Sequence, residues 1–407
     1  MTLCIANVIL DAVTNAGYNV MNQYPHISFQ KEWDLSSKSY YYLGQIQAII
    51  KSISYTPIMP NYREQLLRIS LQKGAQATTA IEGNTLSDEE ISKVYKGESL
   101  PPSKEYQAIE VRNIINAFGT ILNETVENEK SDLITPDLIR NFHRLVGENL
   151  GDHFHAIPGQ FRNNNVFVGP YRPPDYQYVP ELISKLCDFL KIEFHYTKGQ
   201  KFIDAVIQAI VAHVYIEWIH PFGDGNGRTG RLIEFYLLMR AGNPDIASHI
   251  LSNHYNDTRT EYYRQLELAG RNHNLSQFIE YALQGFRDGL NSTLSIIQQN
   301  LFNIAWRALV YDKFSEVKYR DNETFKRKRR ILLDLPIDKE LTLDEIFFGN
   351  SNNAKKYGAL SIRSLKRELD DFVKMELLIE VGDNYKANVD LLKQETPRMK
   401  KTNMALE

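Results

Sequence analysis

Residues 202–219 are apolar on nearly every side (Phe202, Val206, Ile210, Val211, Val214, Ile216, Trp218, Ile219), and a stretch with no polar face has to lie inside the molecule. Its length of about 18 residues favours a buried helix over a strand. Residues 228–241 read as a second helix, with Leu232, Phe235, Tyr236 and Met239 at helical spacing before Gly242 and Pro244 stop it. The chain has to be built around these two helices and the short link between them.

The link is His220, Pro221, Phe222, Gly223, Asp224, Gly225, Asn226, Gly227, Arg228, Thr229, Gly230 and Arg231. Glycines at 223, 225 and 227 lack a Cβ, so the backbone can turn sharply and present successive N–H groups to an anion. A helix opening near Gly227 would aim its unpaired N–H groups and positive dipole end at the same point. Arg228 and Arg231, three residues apart, share a face of its first turn, where guanidinium forks suit phosphate oxygens. His220 ends the buried helix facing this loop, and Asp224 offers a carboxylate to a metal. These residue types can handle a nucleotide's phosphates; the bland alternative is a capped helix junction in which His220 satisfies a carbonyl.

Three familiar patterns fail in this context. Gly225, Gly227 and Gly230 spell GxGxxG, but after a helix rather than a strand. Arg231 and Leu232 follow Gly230, where a P-loop needs Lys and then Ser or Thr. An EF-hand counted from Asp224 meets Thr229 and Phe235 where Gly and Glu are required.

What remains resembles the signature of the Fic family: His-Pro-Phe, an acidic residue, Gly-Asn-Gly-Arg, and a second Arg three places on. The resemblance implies a mainly α fold, with a helical core and a β-hairpin flap. It also implies transfer of AMP from ATP to a Ser, Thr or Tyr hydroxyl of a protein, possession of that hydroxyl by the chain itself being left open, with release of pyrophosphate. By the same resemblance His220 is the base that takes the hydroxyl proton and Asp224 holds Mg²⁺. Phe222, Gly223, Gly225, Asn226 and Gly227 line the nucleotide site, and Arg228 and Arg231 hold the β- and γ-phosphates. His220, Asn226, Arg228 and Arg231 are the residues expected to carry catalysis. An imidazole with an ordinary pKa of about 6.5 suits proton abstraction near neutrality. Fixed N–H donors and Mg²⁺ suit charge developing around phosphorus. Other nucleotide donors stay open.

Residues 61–82 read as another helix (Tyr62, Leu66, Leu67, Ile69, Leu71 and onward) stopped by Gly83 and Asn84, after which Ser87 and Glu90 form a capping box. Thr78 and Glu82 lie one turn apart on one face. The sequence Thr, three residues, Glu, Gly is similar to the inhibitory motif of many Fic proteins, which implies that Glu82 pairs with Arg231 and blocks the γ-phosphate. The bland alternative is an exposed charge at a helix end. The same carboxylate leaves a reverse reaction open, in which Glu82 activates water to remove AMP from a modified protein.

Residues 158–170 bracket β-type residues with Gly and Asn and predict a hairpin. It resembles the Fic flap, which implies that Val166, Phe167, Val168 and Gly169 border the nucleotide and that the exposed edge binds a target segment by strand addition. Tyr262 and Tyr263 stand where the family places an adenosine-contacting tyrosine pair, although such a pair also serves a core.

A length of 407 residues allows two or three domains. The expected division is a helical region 1–100 with the inhibitory helix at about 61–83, a catalytic core 101–300, a winged-helix-like domain 301–392, and a disordered polar tail 393–407. A net charge of −3 predicts no general affinity for nucleic acid or anionic membrane, and two cysteines exclude a disulfide framework. Residues 1–16 lack a basic leader region, and the chain reads as cytoplasmic with no membrane partner.

The C-terminal expectation rests on the basic run Lys326–Arg330, a short helix at 341–348, and an amphipathic helix at 361–378. That last helix has Ile362, Leu365, Leu369, Phe372 and Val373 inward, and residues 378–386 form a hairpin wing. Arg363, Lys366 and Arg367 face outward and leave DNA binding open, but Glu368, Asp370, Asp371 and Glu376 favour protein docking or homodimer support. A DNA-binding regulator with a nucleotide-sensing core is the alternative function.

Overall fold

From residue 37 the chain runs helix to helix. In the computed structural model, which describes residues 23–127, 134–194, 201–247, 249–316, 323–348 and 361–393, the order begins α1 (Ser37–Tyr55), α2 (Pro60–Ala80), α3 (Asp88–Tyr95), α4 (Glu105–Glu127), α5 (Pro136–Gly147) and α6 (Val179–Glu193). It continues with α7 (Lys201–Ile219), α8 (Asn226–Arg240), α9 (Ile250–Asp257), α10 (Arg259–Asn272) and α11 (Ser276–Glu316). Local chemistry sets the ends. Pro60 and Pro136 open their helices where a missing N–H costs nothing, and the Ser87–Glu90 capping box starts α3. Gly83 leaves α2 at φ 102°, a conformation open to glycine.

The apolar run is α7, buried without a break from Ala205 to Ile216. Among the described residues it is the one helix long and apolar enough to cross a membrane, and it lies mostly inside the molecule. α8 is buried from Asn226 to Leu238 and packs on α7, with α2, α4 and α5 against it and α6 against α7. Each large aliphatic or aromatic side chain buried here contributes about 1.5–3 kcal/mol. The link 220–225 is therefore a junction clamped on both sides.

Residues up to Leu294 form one unit and those from Ser295 a second, the division falling within α11. The region before residue 100 is not separate, because α2 packs on α4 and α9. The second unit adds α12 (Glu323–Asp334), β1 (Leu341–Thr342), α13 (Leu343–Phe348), α14 (Ile362–Lys374), β2 (Leu378–Val381) and β3 (Asn384–Ala387). Its antiparallel sheet has the order β1-β3-β2, with Leu341 opposite Tyr385 and Leu378 opposite Ala387. Its own core gathers Trp306, Phe314, Leu332, Leu365, Leu369 and Phe372. Ile362 is exposed rather than inward, since it follows the Ser361 cap and the buried stripe begins one turn later at Leu365. The expected leader-free start and, beyond Lys393, the tail lie outside the described residues.

The flap segment is less regular than a two-stranded ladder. It holds one bridge, Val168 to Tyr171, closed by mutual N–H···O bonds of 3.0 Å. Pro170, Pro173 and Pro174 carry no N–H to extend the pairing.

Candidate active site

His220 stands at the seam, in the left-handed region at φ 49°. Its N–H still closes α7 onto Ile216 O at 2.9 Å, and its Nδ1–H donates to Glu217 O at 3.4 Å, leaving Nε2 as the acceptor. Burial pushes its pKa down to about 4, the Glu217 carbonyl opposing and Arg162 adding to the shift. The imidazole is therefore neutral near pH 7.

Arg162 fastens the flap to this seam. Its Nε donates to His220 O at 2.8 Å, its backbone N–H to Pro221 O at 2.9 Å, and its other nitrogens to Asn164 O and Pro174 O. Beyond it Phe167 is 69% exposed, with the Arg172 guanidinium 5.4 Å from its ring centroid, and Val168 is also exposed. Val166 and Gly169 sit in the same open segment.

The loop's shape is held by side chains. Asn226 accepts from Phe222 N–H and donates to Phe222 O, both at 2.9 Å, so its amide pins the turn rather than facing an anion. Phe222 is fully buried and stacks on His143 at 3.6 Å. His143 accepts from Gly159 N–H at Nδ1 and donates from Nε2 to Asp224 O, both at 3.0 Å. Gly225, at φ 75°, precedes α8, and a Cβ there would meet the Phe154 ring at 3.0 Å. Gly223 needs to be glycine too, because its Cβ would lie 2.7 Å from His155 O.

At the start of α8 the two arginines are buried and paired. Arg228 donates to Glu110 Oε1 at 2.5 Å and to Asp224 Oδ1 at 2.7 Å. Asp224 Oδ2 accepts from His155 N–H at 3.3 Å. Arg231, 1% exposed at its side chain, donates to Glu82 Oε1 at 2.5 Å, to Thr78 O at 3.0 Å and to Thr78 Oγ1 at 3.3 Å. Glu82 thus approaches Gly227 so closely that a Cβ there would collide with its carboxylate and with the Arg231 guanidinium. Burial pushes the Glu82 pKa up, but Arg231, Arg228 and the hydrogen bond outweigh it and hold the group below its ordinary value. Glu82 is an anion, and it occupies the anion-binding corner of the helix.

Sequence reasoning brought His220, Asp224, Arg228, Arg231, Thr78 and Glu82 to one place but missed four neighbours. Glu110 had a signal: it continues the buried stripe Ile114, Ala117 and Ile121 of α4, where a carboxylate calls for a buried cation. His143 sits on the apolar face of α5 with Phe142 and Val146, which reads as core. Arg162 could be seen only once its partners were known. Glu217, three residues before His220, has an Oε1 that is buried without a hydrogen-bond partner, and its pKa is pushed up to about 7 by burial, against the pull of Arg231. Of the tyrosine pair, Tyr262 is interior, with its hydroxyl 2.9 Å from His213 Nε2. Tyr263 is the open one, half exposed, and its hydroxyl reaches Ile81 O at 3.5 Å.

With this geometry in place, comparison with other proteins is direct. Residues 133–238 match the Fic/DOC family. A protein adenylyltransferase, fic-1 of Caenorhabditis elegans, is 30% identical over 227 residues, covering 56% of this chain and 42% of that protein. Protein adenylyltransferase Fic of Nematostella vectensis is 30% identical over 194 residues, 47% of this chain and 42% of that protein. The chain thus spans less than half the length of these relatives. The solved structure of Fic-1 residues 134–508 from C. elegans superposes with a TM-score of 0.53 at 26% identity, covering 64% of this chain and 73% of that one. A Fic family protein from Desulfovibrio desulfuricans G20 superposes with a TM-score of 0.53 at 22% identity, covering 88% and 98%, and shares the fold. The likeness to the Fic/DOC family thus lies in residues 133–238, which include the His220 to Arg231 link.

Proposed function

We propose that the protein transfers AMP from ATP to a hydroxyl side chain of a protein, with release of pyrophosphate, and that Glu82 holds it in check. The observation that carries this reading is the Glu82–Arg231 pair lying over Gly227, beside a neutral His220. In the transfer, the target's O–H oxygen bonds to the α-phosphorus while its proton passes to His220 Nε2. The bond from that phosphorus to the bridging oxygen breaks, and pyrophosphate leaves with the electron pair. The unpaired N–H groups of α8's first turn would meet the charge that develops, and Arg228 and Arg231 would hold the departing phosphates.

Asp224 is the residue that would hold Mg²⁺. Among the described residues there is no cluster of three or more metal-ligating side chains, and a lone carboxylate fits an ion that keeps its waters and takes its other ligands from substrate phosphates. Bound there, Mg²⁺ would offset phosphate charge.

Inhibition follows from charge and space. A γ-phosphate needs the guanidinium that Glu82 already occupies, and two anions cannot share it. The test is AMP incorporation from labelled ATP into the chain itself and into a matching lysate. Glu82→Gly should incorporate at least about tenfold more than wild type, a change of about 1.4 kcal/mol in barrier. Adding His220→Ala should return it to background. Equal labelling of wild type and Glu82→Gly would remove the inhibitory role, and labelling that survives His220→Ala would remove the transferase reading.

A further inference from the structure

Among its described residues the second unit gives α12, β1, α13, α14, β2 and β3 in that order, and the β2–β3 hairpin turns tightly at Gly382, φ 59°. The helix directly ahead of the hairpin is α14, and a helix face can be offered to a nucleic-acid groove. By sequence α14 is mixed in charge, since Glu368, Asp370 and Asp371 alternate with Arg363, Lys366 and Arg367. The fold separates the two signs.

The acidic groups are engaged within the unit. Glu368 is buried and accepts from Arg327 of α12 at 2.6 Å, and Asp371 accepts from Lys328 at 2.9 Å. Asp370 shares a hydrogen bond with the Tyr385 hydroxyl of β3. Part of the basic run 326–330 therefore serves to neutralise α14 from behind. Arg363, Lys366 and Arg367 are exposed, and their spacing puts them on one face. None of them has an ion-pair partner among the described residues. Three exposed cations on one face, with no ion-pair partner among the described residues, form a surface that attracts a polyanion.

We infer that the Arg363, Lys366 and Arg367 face of α14 binds double-stranded DNA. A helix is about 10–12 Å across with its side chains, and the major groove, about 12 Å wide, admits it. The three cations then reach phosphate oxygens on the groove's rim, a contact that positions the protein without reading sequence. The hairpin adds little, because Glu380 and Asp383 are exposed at its tip and Lys386 is paired with Glu340. With a net charge of −3 the rest of the chain adds no attraction, so affinity depends on this face.

The full-length chain and a fluorescein-labelled duplex of about 25 base pairs, followed by anisotropy, test the inference. Three phosphate contacts predict that affinity falls about 40-fold between 50 and 200 mM salt. The triple change R363A, K366A, R367A should reduce the slope of log affinity against log salt by about 2.7, and each single change by about 0.9. AMP incorporation and melting temperature should not move, since these side chains touch neither the active site nor a core. No binding at 50 mM salt, or equal binding by wild type and triple variant, overturns the inference. So does a triple variant that sediments as a smaller species while neither protein binds DNA, which would assign the face to self-association.

Discussion

Glu82 Oε1 lies 2.5 Å from Arg231 Nη2, so a guanidinium only 1% exposed is satisfied by a residue from 149 positions earlier in the chain. A buried arginine without a counter-charge is costly, and removing one partner of a buried pair typically destabilises by about 3–5 kcal/mol. Glu82 is one-third exposed, so the cost here should fall below that range, at about 1–3 kcal/mol. ATP would restore the missing anion. Glu82→Gly should therefore melt lower than wild type without nucleotide and gain several degrees from saturating ATP and Mg²⁺, about 2.7 kcal/mol at a hundredfold excess over Kd. Wild type should gain much less. Equal nucleotide-induced shifts in a thermal melt would show that Glu82 does not compete with ATP.

Much of this site was legible because its chemistry is local. His220 to Arg231 lie in one link, and the helices on either side announce themselves by periodicity, so the anion corner needed no knowledge of the rest of the chain. Glu82 was reachable through the resemblance of Thr78 to Gly83 to an inhibitory motif, set at the end of a helix with a recognisable stop at Gly83. His143 and Arg162 escaped because their roles exist only in three dimensions, each reaching a backbone group at least 58 residues away, and Glu110 escaped because its buried stripe calls for a cation without saying which. The flap's regularity was overestimated for a related reason, since alternation of residue types suggests strands but nearby prolines withhold the N–H groups that a ladder needs.

Gly227→Ala distinguishes close approach from flexibility as the reason for glycine at that position. Its Cβ would collide with the Glu82 carboxylate and lie 2.9 Å from Arg231 Nη1. The methyl group displaces Glu82 but also fills the place a phosphate would take. The substitution should fail to activate, and combined with Glu82→Gly it should lower AMP incorporation at least about a hundredfold, near 2.7 kcal/mol. Incorporation by Gly227→Ala alone that matches Glu82→Gly would show that the phosphate does not need this space.

The rate should stay insensitive to mild acid. An exposed histidine gains its proton near pH 6.5 and ceases to act as a base, whereas burial holds His220 neutral until the pH nears 4. The Glu82 charge raises that value, so Glu82→Gly should move the acid limb lower still. For this variant kcat/KM, referred to fully ionised ATP, should be flat from pH 8 to about 5.5. Stability behaves oppositely: the unfolded chain takes up the proton near pH 6.5 and the native state does not, so the folded form loses ground between about pH 6.5 and 4. An acid limb in kcat/KM centred near pH 6.5 would place His220 in a more open setting than the one seen.

His143 is a positioning residue for Asp224. It carries the Asp224 carbonyl on Nε2 and the Gly159 N–H on Nδ1, while its ring stacks on Phe222. Burial pushes its pKa down to about 4, so it performs both roles as one neutral tautomer. His143→Phe keeps the stacked ring and deletes both hydrogen bonds, leaving a buried acceptor and a buried donor unsatisfied at about 1–3 kcal/mol each. Loss of stability alone would mark a structural residue. If His143 sets the angle at which Asp224 meets the metal, then in the Glu82→Gly background His143→Phe should also raise the Mg²⁺ concentration for half-maximal incorporation about tenfold, while His143→Gln, which can restore one bond, recovers part of the loss. A variant that melts lower with an unchanged Mg²⁺ requirement would confine His143 to holding the fold.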